Sequence, residues 1–323
     1  MLSTDRIAAA IPQALLDTHL DLPGERIQGK VRDLYLLDGQ RVLVATDRFS
    51  AFDRVLGAIP YRGQVLNELS AWWFEQTADI VDNHLIEVLD PNVCVGREAV
   101  ALPVEVIVRG FITGVTSTAL WTLYAQGVER PYGLELPAGL RKNDALPEAV
   151  ITPTTKGGPG EHDERLSEVE LVERGLVDAG RWAEVRRVAL ALFARGQELA
   201  RRGGLVLVDT KYEFGLIGDR LVLIDEVHTP DSSRYWTTES WQACLGSDQE
   251  PDGFSKEFLR LWLVAQGFDG AGAVPELPAQ LLAQASQRYQ AVYEMLTGRE
   301  FVGATLPAGP RIDAAVTAWQ ARA

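Results

Sequence analysis

Cysteine is nearly missing from this 323-residue chain. Cys94 and Cys244 stand alone, which excludes a disulfide framework and, with only four histidines, a cysteine–histidine metal cluster. Long apolar runs are missing too. The nearest, residues 99–108, is short and interrupted by Glu105, so it reads as a buried strand and not as a membrane span. Residues 1–10 carry Asp5 and Arg6 among alanines and lack the apolar stretch and cleavage site of a secretory signal, so the cytoplasm is the expected compartment. Positive charge is scarce: 31 Lys and Arg against 45 Asp and Glu give a net charge of -14. That argues against nucleic acid and membranes as partners, yet leaves room for small phosphorylated ligands in a locally basic pocket. The chain has no GxxxxGK[ST] phosphate loop, no serine-hydrolase elbow, no internal repeat and no heptad run.

What is present is enough apolar sequence, 46 %, for one large domain or two closely packed lobes. Short β-rich runs occupy 30–37, 40–45 and 55–61, the first two joined by the hairpin signal Asp38-Gly39. Residues 67–77 have helical spacing, with Leu69, Trp72, Trp73 and Phe74 on an apolar face that suits a core. A strand at 102–108, a helix at 117–126 and a polar glycine-rich loop at 156–164 follow. Then come a helix at 181–201 ended by Gly203-Gly204, strands at 205–214 and 220–227, and helices at 255–267 and 279–297. This order fits an α+β protein and not a strictly alternating parallel sheet. A small β-rich nucleotide lobe would span 1–102, a larger α/β lobe 103–323, with the active site between them.

Five segments carry the chemistry. Gly29-Lys30-Val31-Arg32-Asp33 opens a strand, where glycine lets backbone approach a phosphate and neighbouring cations bind it; a turn glycine beside a solvated lysine explains it as well. Residues 45–53 (ATDRFSAFD) set Asp47, Arg48, Ser50 and Asp53 after a strand, suited either to a polar substrate or to a self-bonded loop. In 103–117 (PVEVIVRGFITGVTS) Arg109 leaves a strand for a Gly- and hydroxyl-rich turn, a phosphate grip or a capping salt bridge. Residues 209–213 (DTKYE) alternate, so a strand sets Asp209, Lys211 and Glu213 on one face. The apolar strand 221–224 then ends in Asp225-Glu226, hard oxygen donors of the kind Mg²⁺ shares with phosphates; the alternative is a solvated face of paired charges. Glu213 and Asp225 are spaced by an even number, so they face one another only across a loop of odd length, for which a left-handed Gly218 is the expected pivot. Finally 229–236 (TPDSSRYW) offers a turn or helix start at Pro230-Asp231-Ser232-Ser233, with free N–H groups for an anion and Arg234 beside it, or simple capping. His19, His84, His162 and His228 read as solvated or structural.

Together these segments, with 152–167 (TPTTKGGPGEHDERLS), 207–215 (LVDTKYEFG), 224–236 (IDEVHTPDSSRYW) and 293–298 (YEMLTG), resemble the phosphoribosylaminoimidazole-succinocarboxamide synthase (SAICAR synthetase) family over nearly the whole chain. The resemblance implies a two-lobed α+β fold, distantly similar to protein kinases and ATP-grasp enzymes. It implies an ATP- and Mg²⁺-dependent ligase of purine biosynthesis that joins L-aspartate to carboxyaminoimidazole ribonucleotide through an acyl phosphate. By this likeness Gly29, Lys30, Val31 and Arg32 would cover the ATP phosphates and the strand around Glu105 the adenine. Glu213 and Asp225 would hold Mg²⁺. Arg109, Ser117, Ser233 and Arg234 would bind the ribonucleotide, and Asp209 and Lys211 would face the reacting groups. One departure stands out: many members read Thr-Gly-Ser where this chain has Thr113-Gly114-Val115-Thr116-Ser117, which sets the serine back. A kinase is disfavoured because HRD and DFG sequences are missing. A nucleotide-sensing module would leave the metal carboxylates without a purpose. The oligomeric state stays open.

Overall fold

The computed structural model describes residues 1–52, 54–157, 163–247, 249–254 and 256–322. Asp53 and His162 therefore lie outside the described residues, as does the middle of the 156–164 loop. Helix α1 (Thr4–Ala10), capped by Ser3, opens the chain. Strands β1 (Glu25–Gln28), β2 (Arg32–Leu36) and β3 (Gln40–Ala45) form a meander. Its second turn is the one signalled by Asp38-Gly39, with Gly39 at φ 69° and the Leu37 amide donating to the Gln40 carbonyl. The hairpin β4 (Arg48–Ala51) and β5 (Arg54–Ala58) and helix α2 (Arg62–Gln76) come next. Strands β6 (Leu85–Asp90) and β7 (Val93–Arg97) then complete a five-stranded antiparallel sheet in the order β1-β2-β3-β7-β6.

The second sheet starts at β8 (Val100–Ala101) and β9 (Val104–Phe111) and, after α3 (Leu120–Ala125), takes in β10 (Ala145–Ile151) and β11 (Thr154–Thr155). Helix α4 (Glu168–Glu173) begins with a reciprocal Ser167–Glu170 capping box, and α5 (Ala179–Arg202) ends at Gly203 as its sequence signals. Strand β12 (Leu205–Ile217) is the spine: β9, β13 (Arg220–Ile224), β14 (Ser233–Thr237) and β8 all pair with it, every one antiparallel. Helices α6 (Thr238–Cys244), α7 (Glu257–Ala265), α8 (Ala279–Thr297) and α9 (Gly309–Gln320) finish the chain. The architecture is α+β, as expected. The bounds of α8 are those its periodicity predicts, whereas α2 starts at Arg62 and not at 67, and α3 starts only at Leu120.

Packing follows the faces. Along α5, Val185, Val188, Ala189, Leu192, Phe193 and Ala200 are buried against β12, and fully burying each larger apolar side chain stabilises by about 1.5–3 kcal/mol. Trp73 and Leu69 lie wholly inside the main core, with Trp72 packed against it, as core and not ligand residues. Helix α9 covers the first sheet: Ala308, Ile312 and Val316 meet Tyr35, Val42, Val44, Val93 and Val95. Among the described residues no helix is long and apolar enough to cross a membrane, and both cysteines are free.

One histidine is structural. His228 is fully buried, its Nε2 against the Tyr212 hydroxyl and its ring edge-on to Trp73 at 4.5 Å between centroids. Burial pushes its pKa from 6.5 down to about 3, so the folded chain refuses a proton that the unfolded chain accepts. The resulting stability is present above pH 6.5 and is lost as pH falls toward 3. In His228→Gln the slope of stability against pH between 6 and 4, read by urea titration, is expected to be shallower than in the wild type by about 1.4 kcal/mol per pH unit. Identical slopes would show that His228 is charged in the fold.

Candidate active site

The register of three strands builds the site. Asp209 on β12 faces Arg109 on β9 and Arg234 on β14, and Lys211 faces Ile107. Side chains two residues apart share a face, so Asp209, Lys211 and Glu213 stand in a row with Arg109 and Glu105 of β9 alongside, as the DTKYE alternation predicts. Arg109 Nε donates to Thr152 Oγ1 at 2.8 Å, and its Nη1 lies 3.4 Å from Asp209 Oδ2. Arg234 Nε lies 3.7 Å from Asp209 Oδ1, and its Nη1 donates to Thr113 Oγ1 at 3.2 Å. One buried carboxylate thus aims two guanidinium groups into the same corner. Farther along, Lys211 Nζ bridges Glu105 Oε1 at 2.5 Å and Glu213 Oε1 at 3.1 Å, and Lys156 reaches the other Glu213 oxygen at 2.5 Å. Burial opposes the Lys211 charge, but Glu213, Glu105 and Asp225 outweigh it and hold the ammonium above the ordinary lysine value. Burial raises Glu105, with Lys211 opposing.

The β12–β13 loop departs from expectation. Ile217 pairs with Arg220, so the turn has two residues, with Gly218 left-handed at φ 59° as foreseen, and Glu213 faces Ile224, not Asp225. Continued extended, Asp225 would point into the core beside Leu223. It does not, because the backbone leaves the ladder there with Asp225 at φ 67°. The carboxylate consequently comes within the fields of Lys211 and Lys156, the cations that also hold Glu213. Burial works to raise Asp225, but Arg32, Lys211 and Lys156 prevail and lower it.

On the other wall, the Gly29 amide donates to the Arg32 carbonyl at 2.8 Å, and a Cβ at Gly29 would come within 2.9 Å of that same oxygen, which requires glycine. Arg48, buried under this turn, donates to the carbonyls of Gly29, Lys30 and Leu16 and to Asp33 Oδ1. Arg32 is not presented to the open loop. Its guanidinium bonds the Asp225 carboxylate and, at 2.9 Å, Glu226 Oε2, tying the first sheet to the end of β13. Asp47 is likewise internal: its oxygens accept from the Leu15 and Gly63 amides at 2.9 Å, and it is 2 % exposed, so it ties two distant segments together and is neither a free substrate contact nor part of a self-bonded loop. Ser50 borders the cleft.

The cleft is a run of three cavities. One of about 380 Å³ is bordered by Lys30, Val31, Arg32, Ser50, Glu105, Lys211, Asp225 and Glu226. A smaller one of about 90 Å³, bordered by Asp209, Ser233 and Arg234, shares Asp231, Ser232, Lys256 and Arg260 with it. A third, of about 220 Å³, continues past Arg234 to Thr113, Gly114, Lys142 and Arg288. Segment 229–233 is a turn, but its N–H groups are not free: the Asp231 and Ser232 amides donate to Thr229 Oγ1 and that of Ser233 to the Thr229 carbonyl. Ser233 Oγ pairs with Thr210 Oγ1 at 2.8 Å. Ser117 is exposed, and it is Thr113 that meets Arg234. Lys256 and Arg260 escaped the sequence reading as cleft residues; an i, i+4 pair of cations at the head of α7 was the one available signal.

Three comparisons bear on this geometry. The family model described as SAICAR synthetase matches residues 25–275. The chain is 49 % identical over 305 residues to the phosphoribosylaminoimidazole-succinocarboxamide synthase of Legionella pneumophila, covering 94 % of this chain and 96 % of that one. It is 43 % identical over 296 residues to its namesake from Bacteroides fragilis, covering 90 % and 93 %. Among solved structures it is similar to the SAICAR synthase of Saccharomyces cerevisiae complexed with SAICAR, at TM-score 0.77 and 32 % identity over 89 % of this chain and 99 % of that one.

Proposed function

Since the chain belongs to the SAICAR synthetase family, we propose that it joins L-aspartate to carboxyaminoimidazole ribonucleotide with ATP as phosphoryl donor, through an acyl phosphate, releasing ADP and phosphate. A carboxylate is a poor acyl donor at neutral pH. The terminal phosphoryl group of ATP therefore moves to a carboxylate oxygen of the ribonucleotide; the aspartate amine then attacks that carbonyl carbon, phosphate leaves, and the amide remains. Such chemistry needs positioning and charge neutralisation and no protein nucleophile.

The observation that carries this reading is the shared register of β9, β12 and β14, which lines up Arg109, Asp209 and Arg234 with Lys211, Glu105 and Glu213 along one cleft. The first sheet would serve as nucleotide lobe and the second as substrate lobe, divided near residue 102. Gly29, Lys30 and Val31 would cover the ATP phosphates; Arg109 and Arg234 would grip the ribonucleotide phosphate, oriented by Asp209. Lys211 would sit over the transferring group. Glu213 and Asp225 fit Mg²⁺: both are hard oxygen donors, and the Lys156 and Lys211 ammonium groups already stand near both as cations. Among the described residues no group of three or more His, Cys, Asp or Glu side chains is arranged for a metal, so the remaining positions would fall to phosphate oxygens and water. When bound, the ion would neutralise phosphate charge during transfer.

The test is a coupled assay for ADP with ATP, Mg²⁺, the ribonucleotide and aspartate, each omitted in turn; turnover without aspartate would refute the ligase reading. Arg109→Lys and Arg234→Lys are each expected to raise KM for the ribonucleotide roughly 10- to 100-fold with KM for ATP nearly unchanged, because charge is kept and the planar fork lost. Equal rises for both substrates would remove these arginines from the phosphate grip.

A further inference from the structure

We propose that Asn143, buried behind the cleft, and Glu250, between α6 and α7, are positioning residues that set the guanidinium of Arg234 by acting through the Thr113 hydroxyl. This rests on the reading of Arg234 as a grip on the ribonucleotide phosphate. The contacts form one chain. Arg234 Nη1 donates to Thr113 Oγ1 at 3.2 Å, Thr113 Oγ1 donates to Asn143 Oδ1 at 2.6 Å, and Asn143 Nδ2 donates to Glu250 Oε2 at 3.2 Å. Lys142 holds the other Glu250 oxygen.

The direction of these bonds gives the chain its effect. A guanidinium only donates and an ionised carboxylate only accepts, whereas a hydroxyl has one proton to place. Glu250 therefore turns the Asn143 amide so that Nδ2 faces it and Oδ1 faces Thr113. Thr113 gives its proton to that oxygen, which leaves a lone pair for Arg234. Were the amide reversed, the hydroxyl proton would be directed at a guanidinium N–H. Arg109 is served in the same way by Thr152, which accepts from Arg109 Nε at 2.8 Å and directs its own proton to the Ile107 carbonyl at 3.5 Å. Arg234 depends on its threonine the more, since its Nε stands 3.7 Å from Asp209 Oδ1, beyond hydrogen-bond length. The surrounding fold holds Asn143 in place at φ 70°: its amide donates to the Ile112 carbonyl at 2.7 Å, and its carbonyl accepts from Trp241 Nε1 at 3.3 Å. Asn143 borders none of the three cavities of the cleft, so its effect on a ligand passes through Thr113.

Steady-state kinetics of Asn143→Asp, Thr113→Val and the swap Asn143→Asp/Glu250→Gln, varying each substrate with the others saturating, test the assignment. Asn143→Asp sets two carboxylates against each other and should raise KM for the ribonucleotide about tenfold, with kcat and the KM values for ATP and aspartate within about twofold. In the swap the new amide donates to the new carboxylate, which still accepts from Thr113, so KM should return to within about threefold of the wild type. Thr113→Val cuts the chain at its middle and should raise the same constant about tenfold, after which adding Asn143→Asp should change little. Should Asn143→Asp fail to fold, Asn143→Gly, which suits φ 70°, removes the acceptor for Thr113 and gives the same readout. An unchanged KM for the ribonucleotide in Asn143→Asp, no recovery in the swap, or all the constants rising together overturns the relay. An unchanged KM in Arg234→Lys would instead overturn the phosphate grip, and the relay with it.

Discussion

Asp225→Asn is expected to lower kcat by roughly two to three orders of magnitude while the melting temperature moves by only a few degrees. The separation follows from the backbone. Asp225 sits at φ 67°, a conformation that asparagine adopts more readily than most residues, so the turn out of β13 survives the exchange. Arg32 keeps Glu226 Oε2 at 2.9 Å and is not stranded. What disappears is one negative charge near Lys211 and Lys156, where a metal–nucleotide complex would need it. Turnover within threefold of the wild type would remove Asp225 from the machinery; collapse of the fold would make it a structural residue.

The largest stability effect is expected at Arg62, which is wholly buried at the start of α2 and bonds Asp231, itself 6 % exposed in its side chain. Arg62→Met leaves a buried carboxylate without its cation and should cost about 3–5 kcal/mol in urea unfolding at neutral pH. The sign with pH is specific. In the wild type burial would raise Asp231, but Arg62, Lys256 and the Tyr289 hydroxyl hold it at about 2, below its ordinary 3.8, so its stabilising contribution is present above pH 4 and lost as pH falls toward 2. Without Arg62 burial prevails, the carboxyl titrates above its ordinary value, and the penalty grows as pH rises through that point. The gap between wild type and variant should thus be smaller at pH 4.5 than at pH 7.5, and Arg62→Met/Asp231→Asn should recover much of the loss. A gap independent of pH would mean that Asp231 is not the group left stranded.

Much of the β9–β12 wall of the cleft was legible because it depends on period-two alternation. DTKYE, read as a strand, already sets its charges on one face, and the strand at 102–108 already carries Arg109 out toward them. The helix at 279–297 was legible for the same kind of reason, a clean 3.6-residue pattern. The misses are of another sort. The first turn of α2 is hidden because Arg62, Gly63 and Gln64 are polar or small yet buried, satisfied by partners such as Asp231, 169 residues away. Strand β6 slips twice in register against β7, so its alternation is interrupted and it displays no simple pattern. The parity argument for Glu213 and Asp225 assumed that both stay in the ladder; a single left-handed residue replaced the odd loop and brought the carboxylate round by another route.

The four bonds that Arg48 makes beneath Gly29 and Lys30 have a consequence for the timing of order in this molecule. A glycine turn left to itself samples many shapes, and a nucleotide binding to it must select one, losing entropy at every encounter. Here the choice is made once, when the chain folds and a buried guanidinium fixes the carbonyls from below. The loop would then meet each incoming nucleotide as a finished surface, its carbonyls already held by Arg48 and the Gly29 amide already bonded to Arg32. The rate of nucleotide capture would be set by diffusion into the cleft rather than by rearrangement of the turn.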